Sequence, residues 1–290
     1  MSTLSRREFL TWTAGAFAGA MIAADWAQAQ PGTKLRLSAC DWSLQAKGPE
    51  GLAIAKRVGL DGLEISAGDP ADVLQVGDAA YRQQYKDMVA KTGIPVSSIA
   101  MGLLNGAPLA DDPRAPAWLE QTIEAAPDLD AKVVLLAFFG KGDLRTKEGL
   151  KKKELDVVVE RLKEAAPKAQ EAGVILGLEN TLSGKDNLAI LDRVKSDAVR
   201  VYYDCGNSTY NGYDVPAEIR DLDDRICQIH FKDGSRFLGE GRVDMDAAAA
   251  AISDIGYEGW LVLETAIRRK DRDGSFMKNA EYVRKLFAMD

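Results

Sequence analysis

A single histidine, His230, stands among 290 residues. Taken alone, such a residue is ordinarily a filled core position or an accident of the surface, so its neighbourhood must supply a reason. Cysteine is nearly as scarce. Cys40, Cys205 and Cys227 show no C-x-x-C spacing, and an odd number excludes a complete disulfide framework, leaving room for one bridge at most. They are expected to pack as small buried apolar groups. Positive charge is in the minority: 37 Lys and Arg face 44 Asp and Glu, a net charge of −7. An acidic chain without a basic stripe is a poor match for nucleic acid or an anionic membrane. No G-x-G-x-x-G follows the first apolar run, which weakens a dinucleotide-binding open sheet, and no repeat of solenoid or propeller period is visible.

What is present starts with the first 29 residues. Arg6 and Arg7 are followed by Phe9 and Leu10, then by a stretch rich in Ala and Gly, then by Ala27-Gln28-Ala29. This resembles a bacterial twin-arginine signal peptide with an A-x-A cleavage site. The expectation is export of the folded protein to the periplasm by the twin-arginine machinery, with cleavage after Ala29. The apolar stretch is interrupted by Asp25 and is too short and weak for a stable membrane anchor. Arg6, Arg7, Glu8 and Asp25 cancel, so the mature chain keeps its acidic balance.

Residues 30–290 read as one domain. At 46% apolar and 28% charged residues the chain has an ordinary globular composition, sufficient for a large core. Eight short runs rich in Val, Ile and Leu punctuate it: 34–40, 62–66, 96–101, 133–139, 174–179, 199–204, 226–231 and 260–264. Such runs suit parallel strands covered on both faces. Amphipathic segments lie between them. Leu155, Val158, Val159, Leu162 and Ala166 fall at helical spacing within residues 146–173, and Asp244 or Asp246 is placed to cap a helix that Gly256 ends. Eight βα units predict a (β/α)₈ TIM barrel.

In that architecture the chemistry sits at the C-terminal ends of the strands. The fifth run ends in Glu179, the sixth in Asp204, the seventh carries His230 followed by Lys232, and the eighth ends in Glu264. Alternation sends Gln228, His230 and Lys232 toward the barrel axis, and Cys227, Ile229 and Phe231 toward the helices. Three carboxylates buried together are costly unless a positive charge lies among them. One divalent cation meets that need. Three carboxylates and an imidazole suit Mn²⁺ best, with Mg²⁺, Co²⁺, Fe²⁺ and Zn²⁺ compatible. Aromatic faces at the mouth would suit a sugar. Trp42, in a loop after the first run, is the strongest candidate, whereas Phe138 and Phe139 read as packing. Glu64, on the second run, is read as contacting substrate or bonding a loop.

Five segments then carry a family resemblance: "LEN" at 178–180, "YYDCGN" at 202–207, "HFKD" at 230–233, "GEGRVD" at 239–244 and "LVLET" at 261–265. In order and spacing they resemble the sugar phosphate isomerase/epimerase superfamily of xylose-isomerase-like TIM barrels. The first half matches only in its βα rhythm and in "VGLDGLEIS" at 58–66. The resemblance implies that Glu179, Asp204, His230 and Glu264 bind one divalent metal. It implies further that Glu179 and Glu264 act as acid and base, that Lys232 assists beside them, and that Arg236 meets substrate. Where ketose epimerases of this group often have a histidine, three residues past the strand-end aspartate, this chain has Asn207. That position is not a ligand in the pattern, so metal binding is expected to survive, and Asn207 is expected to touch substrate.

The expected activity is isomerisation or epimerisation of a carbohydrate by proton abstraction next to a carbonyl. Export points to an unphosphorylated ketose or keto-sugar, because sugar phosphates are mainly cytoplasmic. Two alternatives use the same site: β-elimination from a 3-keto-glycoside, and sugar binding without turnover. Abasic-site nucleases share the barrel but need several histidines, and one histidine with an acidic chain argues against that function. Members of the superfamily are often dimers or tetramers, so a homo-oligomer is compatible.

Overall fold

The computed structural model describes residues 35–289; the expected signal peptide at 1–29 lies outside the described residues. Eight parallel strands close into a barrel: β1 (Arg36–Cys40), β2 (Gly62–Ser66), β3 (Val96–Met101), β4 (Val133–Ala137), β5 (Ile175–Glu179), β6 (Val199–Asp204), β7 (Ile226–Phe231) and β8 (Trp260–Leu263). Each pairs with its sequence neighbours, and β8 returns to β1 with Ser38 opposite Val262. The predicted (β/α)₈ barrel is therefore the fold, with all eight strands within two residues of the apolar runs. Among the described residues no helix is long and apolar enough to cross a membrane.

The connecting helices are α1 (Gly51–Arg57), α2 (Ala79–Thr92), α3 (Ala115–Asp128), α4 (Lys152–Ala172), α5 (Gly184–Val194), α6 (Cys205–Tyr210), α7 (Val215–Leu222), α8 (Met245–Asp254) and α9 (Arg272–Leu286). The five apolar positions singled out on α4 are buried. Asp244, not Asp246, caps α8 by accepting from the Ala247 amide, which satisfies one of the free N–H groups of the first turn. Residues 146–150, the start of the segment read as helical, instead lie in a short hairpin that pairs Arg145–Thr146 with Gly149–Leu150.

Strand alternation divides the core in two. Leu37, Leu63, Ile99, Leu136, Leu178, Ile229 and Leu263 face the helices in one large cluster, while Val133, Leu135, Tyr202 and Val262 fill the barrel axis. Cys227 corrects the expected pattern. Val201 pairs with Ile226 but Tyr202 pairs with Gln228, so Cys227 is an extra residue in a bulge. The bulge turns it away from the helices to pack against the axial cluster. All three cysteines are free thiols.

Candidate metal centre and substrate cleft

The strand ends bring Glu179, Asp204, His230 and Glu264 together. One ligand atom from each lies within 4.8 Å of all the others. His230 is fully buried, Glu179 and Asp204 almost so, and Glu264 forms the edge nearest solvent. Nδ1 of His230 lies 3.0 Å from Glu179 Oε1, 3.7 Å from Glu264 Oε2 and 3.9 Å from Asp204 Oδ2. Its Nε2 lies 2.9 Å from Glu64 Oε1.

Local structure fixes each group. Asp204 ends β6 and caps α6, its Oδ1 accepting from the Asn207 amide at 2.7 Å. The cap aims Oδ2 into the cluster, where it is buried without a hydrogen-bond partner. Glu264 accepts from Lys232 Nζ at 2.8 Å and from Trp42 Nε1 at 3.2 Å. Lys232 can pack there because residue 206 is glycine: a Cβ at Gly206 would come within 2.9 Å of the Lys232 Cβ.

Electrostatics follow from burial among like charges. Burial pushes the Asp204 carboxyl up to about 8, against the pull of Lys232. Burial likewise raises Glu179. Burial also disfavours the charged imidazole of His230, but the carboxylates of Glu179 and Glu64 outweigh it and hold the ring protonated well above its ordinary range. Glu264 moves the other way: burial is overcome by His230 and Lys232, and its carboxyl is lowered. Two carboxyls that burial raises, Asp204 and Glu179, and an orphaned Asp204 oxygen are what a buried acidic cluster shows when it is short of positive charge. One donor atom from each of the four residues lies within 4.8 Å of the others, near enough to converge on a single small cation. The residues fit a hard divalent cation.

Above the cluster opens a cleft of about 440 Å³. Trp42, Leu103 and Phe139 supply apolar walls, and Ser66, Asn105 and Asn207 polar ones, with Glu179, Lys232 and Glu264 at its base. Trp42 and Asn207 therefore stand where the sequence placed them. Phe139 lines the cleft although it read as packing, while Phe138 is core. Lys47 and Asn105 also line it, and neither carried a sequence signal beyond its place in a loop after a strand.

Two expected substrate contacts lie elsewhere. Glu64 is completely buried beneath His230 and does not line the cleft, because β2 aims it at the barrel axis one level below the strand ends. Arg236 is exposed and also absent from the lining. Asp233 anchors the turn that carries it, accepting the Gly241, Arg242 and Val243 amides at 2.7, 2.8 and 3.1 Å. Gly241 is required for this grip, since a Cβ there would lie 2.0 Å from Asp233 Oδ1.

Fold and site together define a (β/α)₈ barrel whose last four strands converge on an acidic and imidazole centre able to hold a cation. The chain belongs to the xylose isomerase-like TIM barrel family, whose model matches residues 52–286. Among curated proteins it is similar to a 2-epi-5-epi-valiolone 7-phosphate 2-epimerase of Actinoplanes sp., 24% identical over 217 residues that cover 71% of this chain and 78% of the relative. Among solved structures it is similar to the apo form of a 3-keto-D-glucoside 4-epimerase from E. coli, with a TM-score of 0.73 and 17% identity over 87% of this chain and 100% of that one. An L-ribulose 3-epimerase matches with a TM-score of 0.72 and 22% identity over 88% of this chain and 95% of that one. At such identities the two structural likenesses establish the shared fold.

Proposed function

We propose that this protein is an exported, divalent-metal-dependent sugar epimerase or isomerase that abstracts a proton next to a carbonyl. The observation that carries the reading is the pair Glu179 and Glu264, both at the base of the cleft and both within the four-donor cluster. A protein that only bound sugar would need no such pair. The named relatives, all epimerases, support the same class.

Glu179, Asp204, His230 and Glu264 would hold the cation, with Mn²⁺ the best match to the donor set. Bound there, it would supply Lewis acidity toward a carbonyl oxygen and an adjacent hydroxyl. Glu264, kept ionised between Lys232 and Trp42, takes the α-proton. Glu179 returns a proton to the opposite face or the neighbouring carbon. Lys232 Nζ offsets charge that builds on the substrate oxygen. Trp42 and Phe139 offer flat apolar faces to the C–H surface of the ring.

The substrate is an unphosphorylated ketose or keto-sugar. No arginine lines the cleft among the described residues, and of its two lysines, Lys232 is engaged by Glu264 and Lys47 acts on Asp41. A phosphate is ordinarily gripped by several convergent donors. Periplasmic localisation, from the twin-arginine segment, supports the same choice. Expulsion of a β-substituent after the same proton abstraction would make the enzyme a 3-keto-glycoside lyase.

The test is solvent exchange. Mature protein loaded with Mn²⁺ is incubated in D₂O with free ketoses, keto-sugars and 3-keto-glycosides, and deuterium is followed by NMR after metal removal. Deuterium at a carbon next to a carbonyl, lost in Glu179→Gln and Glu264→Gln, is the expected result, and the product separates epimer from elimination. Tight sugar binding without exchange would establish a binding protein instead.

A further inference from the structure

Beneath the cation centre lies a layer of polar side chains that the proposed reaction does not use. Glu64, Ser98 and Gln228 are completely buried and Tyr202 is 1% exposed. Such a layer inside a barrel is costly unless its hydrogen bonds are satisfied in a consistent direction. Gln228 Nε2 donates to Ser98 Oγ at 2.8 Å and to the Tyr202 hydroxyl at 2.9 Å. Each hydroxyl has one proton to give, and both give it to Glu64 Oε2, at 2.6 and 2.7 Å. This setting leaves Gln228 Oε1 buried without a partner, but the opposite one would press that oxygen against two hydroxyl oxygens whose protons already point to Glu64. The direction therefore runs one way, from Gln228 through two hydroxyls into Glu64. What remains is Glu64 Oε1, an acceptor, 2.9 Å from His230 Nε2.

We propose that Glu64 is a positioning residue that selects the tautomer of His230: it keeps a proton on Nε2, so that the proton a cation displaces is the one on Nδ1, the nitrogen that faces Glu179, Asp204 and Glu264. The inference rests on the cation-binding reading above. Ring orientation is fixed at the same time, with Tyr202 meeting the imidazole edge-on at 4.6 Å and Trp42 at 6.0 Å. Gln228 thereby sets the state of a ligand that it does not touch.

A single imidazole makes the test direct. Protein labelled with ¹⁵N-histidine gives one ring to follow in long-range ¹H–¹⁵N correlation spectra, with diamagnetic Zn²⁺ as the probe. In the wild type, Nε2 is expected to carry the proton and Nδ1 to shift as Zn²⁺ is added. In Glu64→Gln, the two hydroxyls take the amide oxygen and the amide NH₂ turns on Nε2. The tautomer should then reverse, and Mn²⁺ affinity measured by calorimetry should fall about 10- to 100-fold, the usual effect of losing such a partner. The exchanged pair Glu64→Gln/Gln228→Glu runs the network backwards, frees the amide oxygen for Nε2–H, and should recover both tautomer and affinity. A wild-type ring protonated on Nδ1 alone with Zn²⁺ present overturns the proposal. So does a Glu64→Gln protein with wild-type spectrum and affinity, or a folded double variant that recovers neither. An Nε2 proton that persists while Nδ1 never responds to Zn²⁺ or Mn²⁺ supports the tautomer assignment and overturns the cation reading instead.

Discussion

Trp42 and Glu264 meet across the seam where the barrel closes: the indole Nε1 donates to Glu264 Oε1 at 3.2 Å, over 222 residues of sequence. Trp42 lies two residues past β1 and Glu264 one residue past β8, and these two strands are neighbours. The contact holds one oxygen of Glu264, the proposed base, while Lys232 holds the other. Trp42→Phe keeps an aromatic ring against His230 and removes only the donor. A stability loss of about 1 kcal/mol is expected, the ordinary worth of one hydrogen bond. Turnover should fall about tenfold, equivalent to about 1.4 kcal/mol in the barrier, with Mn²⁺ affinity little changed. Equal turnover in the two proteins would show that Glu264 needs no such restraint.

Cation binding should become more stabilising as pH rises. Without a cation, folded Asp204 holds its proton up to about 8, against an ordinary value of 3.8. Between those values the folded chain binds more protons than the unfolded one, so stability falls with rising pH. His230, raised above its ordinary 6.5, adds to the same slope from near neutrality upward. A cation requires both groups unprotonated and so competes with those protons. Thermal melts from pH 5.5 to 8, with Mn²⁺ and with EDTA, should therefore diverge as pH increases. A gap that narrows toward pH 8 would contradict this account.

The grip of Asp233 on residues 241–243 predicts a local lesion. Asp233→Asn leaves one oxygen for three amide donors that now receive both carboxylate oxygens. A cost of about 2–3 kcal/mol in urea unfolding is expected, given the strength of hydrogen bonds to charged acceptors. Limited proteolysis should gain a cleavage site within residues 234–243. An unchanged digestion pattern would mean that the turn is held by its other contacts.

Export is tested at the arginine pair. Arg6→Lys together with Arg7→Lys should shift the protein from the periplasmic to the cytoplasmic fraction of its host, with the Ala29–Gln30 bond left uncut. Undiminished periplasmic protein would remove the location argument for an unphosphorylated substrate.

The sequence is most legible where the chemistry is densest. Glu179, Asp204, His230 and Glu264 could be read as strand ends because a barrel forces such residues to one rim, and the structure places all four there. Alternation failed at Cys227, since a bulge is set by the partner strand and leaves no mark on its own strand's pattern. Glu64 read as a substrate contact or a loop bond and not as a partner of His230, because its depth depends on the stagger between strands. Arg236 misled for a different reason. Its neighbours fix a sequence position, whereas the direction of its side chain follows from the turn that Asp233 anchors nine residues before the loop is complete.

All four candidate ligands come from the second half of the chain, while much of the cleft wall, from Trp42 through Ser66, Leu103 and Asn105 to Phe139, comes from the first. The two halves are thus free to evolve at different speeds. Insertions and replacements after the first four strands can redraw what fits the cleft without disturbing the reacting groups, provided Glu64 and Trp42 stay. One ancestral chemistry could in this way be inherited intact by descendants that differ in diet.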